Sequence, residues 1–238
     1  MAPGGPLPDD ETLTREGAAV EAAAPSGVSG AEPAAAPVRV IACGALAREI
    51  LAVLGSGGWG HVALRCLPAD LHLRPEKIPD AVEAAVVEAR AEDAAEVFVA
   101  YADCGTGGLL QARCAALGVE MIEGPHCYSF FDGNDLFASR GDAEMRCFYL
   151  TDFLVRQFEA FVWKPMGFDR HPELIEMMFG GYETLVHLAQ VEDADLDAKA
   201  REAAARLGLS HERRFTGYGD LAPFLERAAG RPGGAPAT

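Results

Sequence analysis

The chain has 238 residues, of which 50% are hydrophobic, and a formal net charge of −16 at pH 7. This length suffices for one α/β domain of ordinary size with a substantial core. Nucleic-acid binding requires a basic surface, and an anionic membrane surface repels an acidic protein. We therefore expect no nucleic acid and no membrane among the partners, and we expect a small-molecule ligand instead.

Both ends of the chain have the composition of disordered tails. Residues 1–37 are rich in Ala, Pro, Gly and Glu, and residues 230–238 are rich in Pro, Gly and Ala. Between them, residues 38–229 are predicted to form a single α/β domain. The sequence shows no secretory signal, no apolar run long enough to cross a bilayer and no compact disulfide pattern. These features predict a cytoplasmic protein with free thiols.

Short apolar runs alternate with helical patterns along the domain. Strands separated by helices of this length indicate right-handed crossovers and a mainly parallel, Rossmann-like sheet with helices on both faces. The C-terminal third is predicted to be a helical cover. In chain order, the predicted elements are strand 38–43, helix 45–54, strand 61–66, helix 75–90, strand 97–101, helix 107–117, strand 119–122, helices 152–163, 172–190 and 193–207, strand 212–216 and helix 220–228.

Three predicted strands run into a cysteine, at Cys43, Cys104 and Cys127. Ligands of open α/β sheets bind beyond the carboxyl ends of the strands, so three thiols can meet there in one crevice. A helix follows each of the first two cysteines, and its dipole is expected to lower a thiol pKa. Three thiolates suit zinc or an iron–sulfur cluster, which predicts these cysteines as metal ligands. The alternative for each is an inert core residue, which we expect for Cys66 and Cys114.

Three ionisable residues near these cysteines are candidates for catalysis. Asp103 can orient a histidine, or it can cap the following helix. His126 can replace Cys127 as a ligand or act as a general base, and otherwise it is a loop histidine. Glu49 follows Cys43 by six positions and can point toward the site or lie on a solvated helix face.

Glycine-rich turns follow several of the predicted strands, and their backbone amides can bind a phosphate or a carboxylate. The Walker and dinucleotide-binding patterns are both absent. The turns nevertheless predict a set of cofactor-binding residues: Gly44, Gly105, Thr106, Gly217, Tyr218 and Gly219.

Six short blocks, at 42–49, 103–105, 124–128, 150–154, 179–182 and 216–221, resemble those of the domain of unknown function family 1638. The resemblance covers residues 38–228. Met145, Arg146 and Cys147 stand where the family has a small Gly-Thr pair, so the pocket is expected to differ in shape there. Members occur near corrinoid-dependent methylamine or betaine methyltransferase systems in bacteria and archaea. The resemblance thus implies a role in one-carbon or corrinoid metabolism, with corrinoid methyltransferase proteins as partners.

Two classes of function fit these residues. The first is a metal-dependent enzyme or accessory protein, with zinc or an iron–sulfur cluster on the three cysteines. The alternative is a non-catalytic binding module for a small anionic ligand or a corrinoid protein, with the glycine turns as anion sites. A third possibility is a set of redox-active thiols without metal.

Overall fold

The structure, a computed structural model, describes residues 8–20 and 37–230. Predictions for residues 1–7, 21–36 and 231–238 lie outside this range. The chain forms two compact units, one comprising the residues up to Cys127 together with those from Leu221 onward, and the other comprising Tyr128 to Asp220. We call them unit 1 and unit 2. None of the helices in the described ranges combines the length and apolar character that a membrane span requires.

The helices and strands follow the predicted order over most of the chain. In sequence, they are α1 (Asp10–Arg15), β1 (Ala18–Val20), β2 (Val38–Cys43), α2 (Ala47–Gly57), β3 (Val62–Leu67), α3 (Ile78–Ala91), β4 (Glu96–Ala100), α4 (Leu109–Leu117), β5 (Glu120–Met121), α5 (Cys127–Asp132), α6 (Asn134–Arg140), β6 (Cys147–Thr151), α7 (Asp152–Arg156), α8 (Leu174–Phe179), β7 (Thr184–Ala189), α9 (Ala194–Leu207), β8 (Ser210–Phe215) and α10 (Leu221–Gly230).

Residues 8–20 differ from the disordered tail predicted over residues 1–37. The side chain of Asp9 accepts from the backbone N–H of Thr12 and caps α1, and Leu13 is fully buried. The β1 strand pairs antiparallel with β3, with Ala18 opposite Cys66. Two such short elements carry no measurable periodicity, so composition alone predicts a tail where tertiary contacts form structure.

Unit 1 confirms the predicted mainly parallel sheet with helices on both faces. Its strand order is β1-β3-β2-β4-β5, and all neighbours except β1 and β3 are parallel. On one face, Ile41 packs with Val82 of α3 and Leu110 of α4 in one core cluster. On the other face, Phe98 meets Phe224 of α10 edge-on, with 6.3 Å between ring centroids. Alternate residues of the buried strands therefore feed two separate layers of helices.

Unit 2 contains two strands, β6 and β7, in addition to the predicted helices and the predicted strand 212–216. It contains a parallel sheet in the order β6-β7-β8, and β7 occupies the second half of the helix predicted over 172–190. The helix in this region, α8, is followed by Gly180 and Gly181, which have little helical preference. The run Thr184–Ala189 then has almost entirely buried side chains between two strands, where branched and apolar residues favour a strand. The predicted helix over 152–163 is α7 followed by a π-helical segment, Glu159–Trp163.

Candidate functional site

Two neighbouring strands of unit 1 end at the same edge of its sheet. β2 and β4 are parallel, with Ala42 opposite Ala100. From β2 the chain passes to β3 on one side and then to β4 on the other, so the direction of strand addition reverses between β2 and β4. Ligands of open α/β sheets bind at such a switch point. Cys43 is the last residue of β2, and Tyr101 directly follows β4.

Cys104 lies in the turn after β4 with a left-handed backbone. Its φ is +49°, and among the described residues Asp93 is the other non-glycine with a positive φ. This conformation costs a residue with a Cβ atom about 1–2 kcal/mol, and such strain is concentrated at functional sites. The loop after β5 holds the turn. The backbone N–H of Asp103 donates to the carbonyl of Gly124 at 3.1 Å, and that of Cys104 donates to the carbonyl of Pro125 at 3.0 Å.

Cys43 and Cys104 both pack against one core cluster, which includes Tyr101. Burial raises the pKa of Cys104, and the charge of Cys43 adds to this effect. Each sulfur also has a backbone N–H donor. Ala45 donates to the Cys43 sulfur, and both Cys127 and Ala102 donate to the Cys104 sulfur. We call Cys43 and Cys104 the thiol pair.

The predicted lowering of these thiol pKa values by a helix dipole is wrong. Burial raises the pKa of Cys43, and hydrogen bonds from Ala45 and Tyr101 offset this only in part. Burial raises the pKa of Cys104 from 9.0 to about 12, despite the hydrogen bond from Cys127. A helix terminus supplies about 0.3–1 kcal/mol, which is less than the cost of placing a thiolate among apolar groups. Both thiols are therefore neutral at neutral pH.

Tyr101 contributes a buried polar group beside the thiol pair. The residue is 2% exposed, and its hydroxyl makes no hydrogen bond of standard geometry within the described residues. Burial raises the pKa of this hydroxyl, and the charges of Cys43 and Cys104 add to the effect. A buried hydroxyl without a well-formed hydrogen bond is costly and is uncommon outside functional regions.

Cys127 reaches the thiol pair through its backbone. Cys127 is the first residue of α5, and its backbone N–H donates to the Cys104 sulfur. The neighbouring His126 is half-buried, and burial lowers its pKa, so its imidazole is neutral at neutral pH. Within the described ranges, no group of three or more His, Cys, Asp or Glu side chains is arranged to hold a metal ion. A zinc or iron–sulfur site on all three cysteines thus stays a prediction.

The carboxylate of Asp103 occupies the amide donors of the glycine-rich turn. The Thr106 hydroxyl donates to it at 2.5 Å, and the backbone N–H groups of Gly107 and Gly108 donate at 3.0 and 2.7 Å. Although burial opposes the effect, these hydrogen bonds lower the pKa of Asp103. Thr106 also accepts from the backbone N–H of Leu110 at 3.3 Å, as a helix cap. The predicted anion site at Gly105 and Thr106 already holds an internal carboxylate.

Glu49 is buried on α2. Burial raises the pKa of Cys66, and the charges of Cys43 and Glu49 add to this effect. Cys66 pairs with Ala42 in register, so its side chain points to the face opposite that of Cys43. At Gly44, a Cβ atom would lie 2.4 Å from the carbonyl oxygen of Leu13. This glycine is needed for the close approach of the N-terminal segment.

The turn at Gly217, Tyr218 and Gly219 belongs to unit 2 and follows β8. Gly217 and Gly219 have φ angles of +57° and +47°. A Cβ atom at Gly219 would lie 2.2 Å from the carbonyl oxygen of Phe130. The turn therefore needs glycine for backbone conformation and for packing inside unit 2.

A cleft opens beside the left-handed turn of unit 1. Its volume is about 480 Å³, and it lies between the start of α4 and the segment formed by β5 and the loop after it. This volume falls within the range of small-molecule sites, roughly 300–1,000 Å³. Its wall includes Asp103, Gly108, Gln111, Met121, Glu123 and Pro125.

Unit 2 contains a buried polar network that the sequence analysis missed. The Asp152 carboxylate, 1% exposed, lies 2.8 Å from Nε2 of the fully buried His187. It also accepts from the backbone N–H groups of Gln190 and Val191, each at 3.0 Å. Nδ1 of His187 lies 3.5 Å from Asp197. Because every oxygen of Asp152 has a donor, the network joins the ends of β6 and β7 and supports structure.

The family resemblance is confirmed by a direct comparison with family models. Neither the curated proteins nor the solved structures contain a match to this chain. One family model matches residues 66–225, which is more than half of the chain and includes Cys104 but not Cys43. The chain therefore belongs to the family described as protein of unknown function DUF1638.

Proposed function

We propose that the protein binds a small neutral or cationic molecule in the cleft of unit 1. The observation that supports this most is the position of the cleft. It lies at the carboxyl ends of β4 and β5, beside the left-handed turn at Cys104. Open α/β sheets bind ligands at this edge, and backbone strain of this kind is typical of functional sites.

The charge of the cleft supports a neutral or cationic ligand. Asp103 and Glu123 line it, and its described lining contains no Lys, Arg or His. The lowered pKa of Asp103 keeps that carboxylate ionised at neutral pH. The backbone N–H groups of Gly107 and Gly108 already donate to Asp103. An anionic ligand, as predicted from the glycine turns, would meet two carboxylates without a free cationic group.

The family resemblance, which implies a role near corrinoid-dependent methylamine methyltransferases, agrees with a small cationic ligand. Methylamines are small cations at neutral pH, and a carboxylate-lined cleft with Met121 in its wall suits a methylated ammonium group. A role beside corrinoid-dependent methyltransferases, in one-carbon metabolism, is part of this proposal. All six cysteines are free thiols, which supports the predicted cytoplasmic setting.

Filling the cleft tests this proposal. Gln111 is an exposed residue that lines the cleft, and Ala116 is an exposed residue on the same helix that does not. Calorimetric titration with trimethylammonium chloride should show binding to the wild type and to Ala116→Trp but not to Gln111→Trp. Titration with sodium phosphate should show none. Equal binding of phosphate, or unchanged trimethylammonium binding by Gln111→Trp, would overturn the proposal.

A metal-dependent enzyme or accessory protein is the second candidate. It is favoured by the shared packing of Cys43 and Cys104 against one core cluster, with an N–H donor on each sulfur. Metal analysis of protein purified without oxygen tests it, together with the visible absorption spectrum. Stoichiometric zinc or iron that is lost in Cys104→Ser supports this candidate, and protein that takes up no metal on reconstitution contradicts it.

A further inference from the structure

The outer edge of β8 carries backbone groups that have no hydrogen-bond partner within the described residues. β8 comes last in the order β6-β7-β8, so it pairs with β7 along one edge. The N–H groups of Ser210 and Thr216 both donate toward β7, at 3.0 and 2.9 Å. Backbone groups alternate between the two edges of a strand, so every second residue of β8 presents its N–H and C=O outward. These residues, which we call the β8 edge, are His211, Arg213 and Phe215.

The β8 edge lacks the features that commonly protect the edge of a sheet. Proteins block such edges with prolines, lysines or bulges. β8 contains no proline or lysine, and its six residues pair with β7 in one continuous register without a bulge. At the end of the strand, Phe215 is 54% exposed. The edge can therefore accept another strand.

Two copies of β8 are complementary when they pair antiparallel about a twofold axis at Arg213. In this register His211 lies opposite Phe215 of the second copy, and each outward pair exchanges two backbone hydrogen bonds. Glu212 lies opposite Arg214 of the second copy. Because Glu212 also accepts from Arg214 of its own chain at 2.8 Å, each of these charges has an opposite charge both along and across the strands. An axis at Glu212 would instead place that carboxylate opposite itself.

The arginine on the axis is already neutralised within its own chain. Nε of Arg213 donates to Asp197 at 2.8 Å, and one of its terminal nitrogens donates to Glu192 at 2.7 Å. The guanidinium carbon also lies 5.6 Å from the centroid of the Phe215 ring. Because two carboxylates accompany each guanidinium, two copies of Arg213 can face one another without an uncompensated positive charge.

We propose that two copies of this chain pair through their β8 edges, antiparallel and with Arg213 on the twofold axis. The pairing joins the two three-stranded sheets of unit 2 into one continuous sheet. An antiparallel strand pair of this length buries less area than the roughly 1,600 Å² of a standard interface, so we expect a reversible dimer. β8 belongs to unit 2 and the cleft belongs to unit 1, so the proposal does not depend on the cleft ligand.

Sedimentation equilibrium of the full chain tests the dimer. The measurement is made over a range of protein concentrations at physiological ionic strength, where a Debye length of about 8 Å screens the repulsion between two acidic chains. Phe215→Pro removes an outward N–H from each copy and leaves the bonds to β7 in place, so the dimer dissociation constant should rise roughly 10-fold or more. Phe215→Ala keeps the N–H and should raise it less. A wild type that is monomeric at every concentration, or equal weakening by the two variants, would overturn the proposal.

Cysteine cross-linking tests the register independently. Arg213→Cys places a thiol opposite its own copy, with about 5.5 Å between the Cα atoms, which a disulfide can span. In Glu212→Cys the two thiols lie on a diagonal of about 7–8 Å, beyond the reach of a disulfide. With oxidised glutathione, Arg213→Cys should form a covalent dimer bridged at position 213, whereas Glu212→Cys and the wild type should not. A dimeric protein in which Arg213→Cys does not cross-link, or in which Glu212→Cys cross-links instead, would exclude this pairing.

Discussion

Replacing Cys104 with glycine should leave unit 1 more stable than replacing it with alanine. Cys104 has a φ of +49°. A residue with a Cβ atom loses about 1–2 kcal/mol in this conformation, and glycine does not. Both variants lose the thiol, so the loss of its packing cancels in the comparison. The difference between them therefore reports the backbone strain at this position.

Two smaller effects reduce the expected stability advantage of Cys104→Gly over Cys104→Ala. Glycine increases the conformational entropy of the unfolded chain, which favours unfolding by about 0.4–1 kcal/mol. Glycine also removes the Cβ atom, although Cys104 is only half-buried and this contact is incomplete. After these subtractions, glycine should be favoured over alanine by roughly 0.5–1 kcal/mol.

Cys43 provides a matched control for this comparison. Its φ is −67°, an ordinary extended conformation, and its thiol belongs to the same pair. At Cys43 the usual order should hold, with alanine more stable than glycine by about 0.5–1 kcal/mol. The order of the two variants is thus expected to invert between positions 43 and 104.

Urea unfolding followed by tryptophan fluorescence measures these differences. The chain has two tryptophans, Trp59 and Trp163. Because Trp59 lies in unit 1, a Trp163→Phe background makes the signal specific to this unit. All four variants are compared in that background at one pH. If alanine is the more stable replacement at both positions, the left-handed strain at Cys104 does not exist, and the structural argument for a site at this turn fails.

Three further predictions concern other polar groups. Asp152→Asn should destabilise unit 2 by about 3–5 kcal/mol in urea unfolding, because it disrupts a buried and fully bonded carboxylate, whereas the same change at the exposed Asp169 should cost less than about 0.5 kcal/mol. Thr106→Val removes a hydrogen-bond donor to Asp103. Because the folded state lowers the pKa of Asp103, this carboxylate stabilises the fold at pH values above its ordinary pKa, and that contribution is lost on acidification. The free energy of unfolding of the Thr106→Val variant should therefore fall less steeply on acidification than that of the wild type. Since the folded state raises the pKa of Cys104 from 9.0 to about 12, stability should decline between these pH values, and Cys104→Ser should lessen that decline.

The sequence was sufficient to predict the parallel strands of the first sheet and the strand ends at which Cys43 and Cys104 lie. Buried parallel strands read as continuous apolar runs, and β2 and β4 both have this pattern. Their carboxyl ends lie side by side because the strands are neighbours, and Cys43 and Cys104 pack against the same core cluster. Two strands of unit 2, β6 and β7, were missed because aromatic and apolar residues in short runs fit either a strand or a buried helix.

The chemical environment of the site depends on details that a single sequence does not contain. Helical spacing leaves open which face Glu49 occupies, and the structure buries this residue on α2. The hydrogen bond from the Cys127 N–H to the Cys104 sulfur joins two separate loops, and those from Gly107 and Gly108 to Asp103 close the glycine-rich turn. A hydrophobic pattern predicts where a strand ends, but it does not predict which donor reaches which sulfur.

The protonation state of the thiol pair decides which chemistry is open to it. With a pKa of about 12, Cys104 is a thiolate in only about one molecule in 10⁵ at pH 7. Attack on a substrate or on a disulfide needs the thiolate, so nucleophilic and redox roles are suppressed in the free protein. A metal ion would have to displace the proton from each sulfur, and metal binding at these thiols would therefore depend strongly on pH. Burial thus suppresses every reaction of this pair that starts from a thiolate, and the backbone N–H donors at the two sulfurs offset that cost only in part.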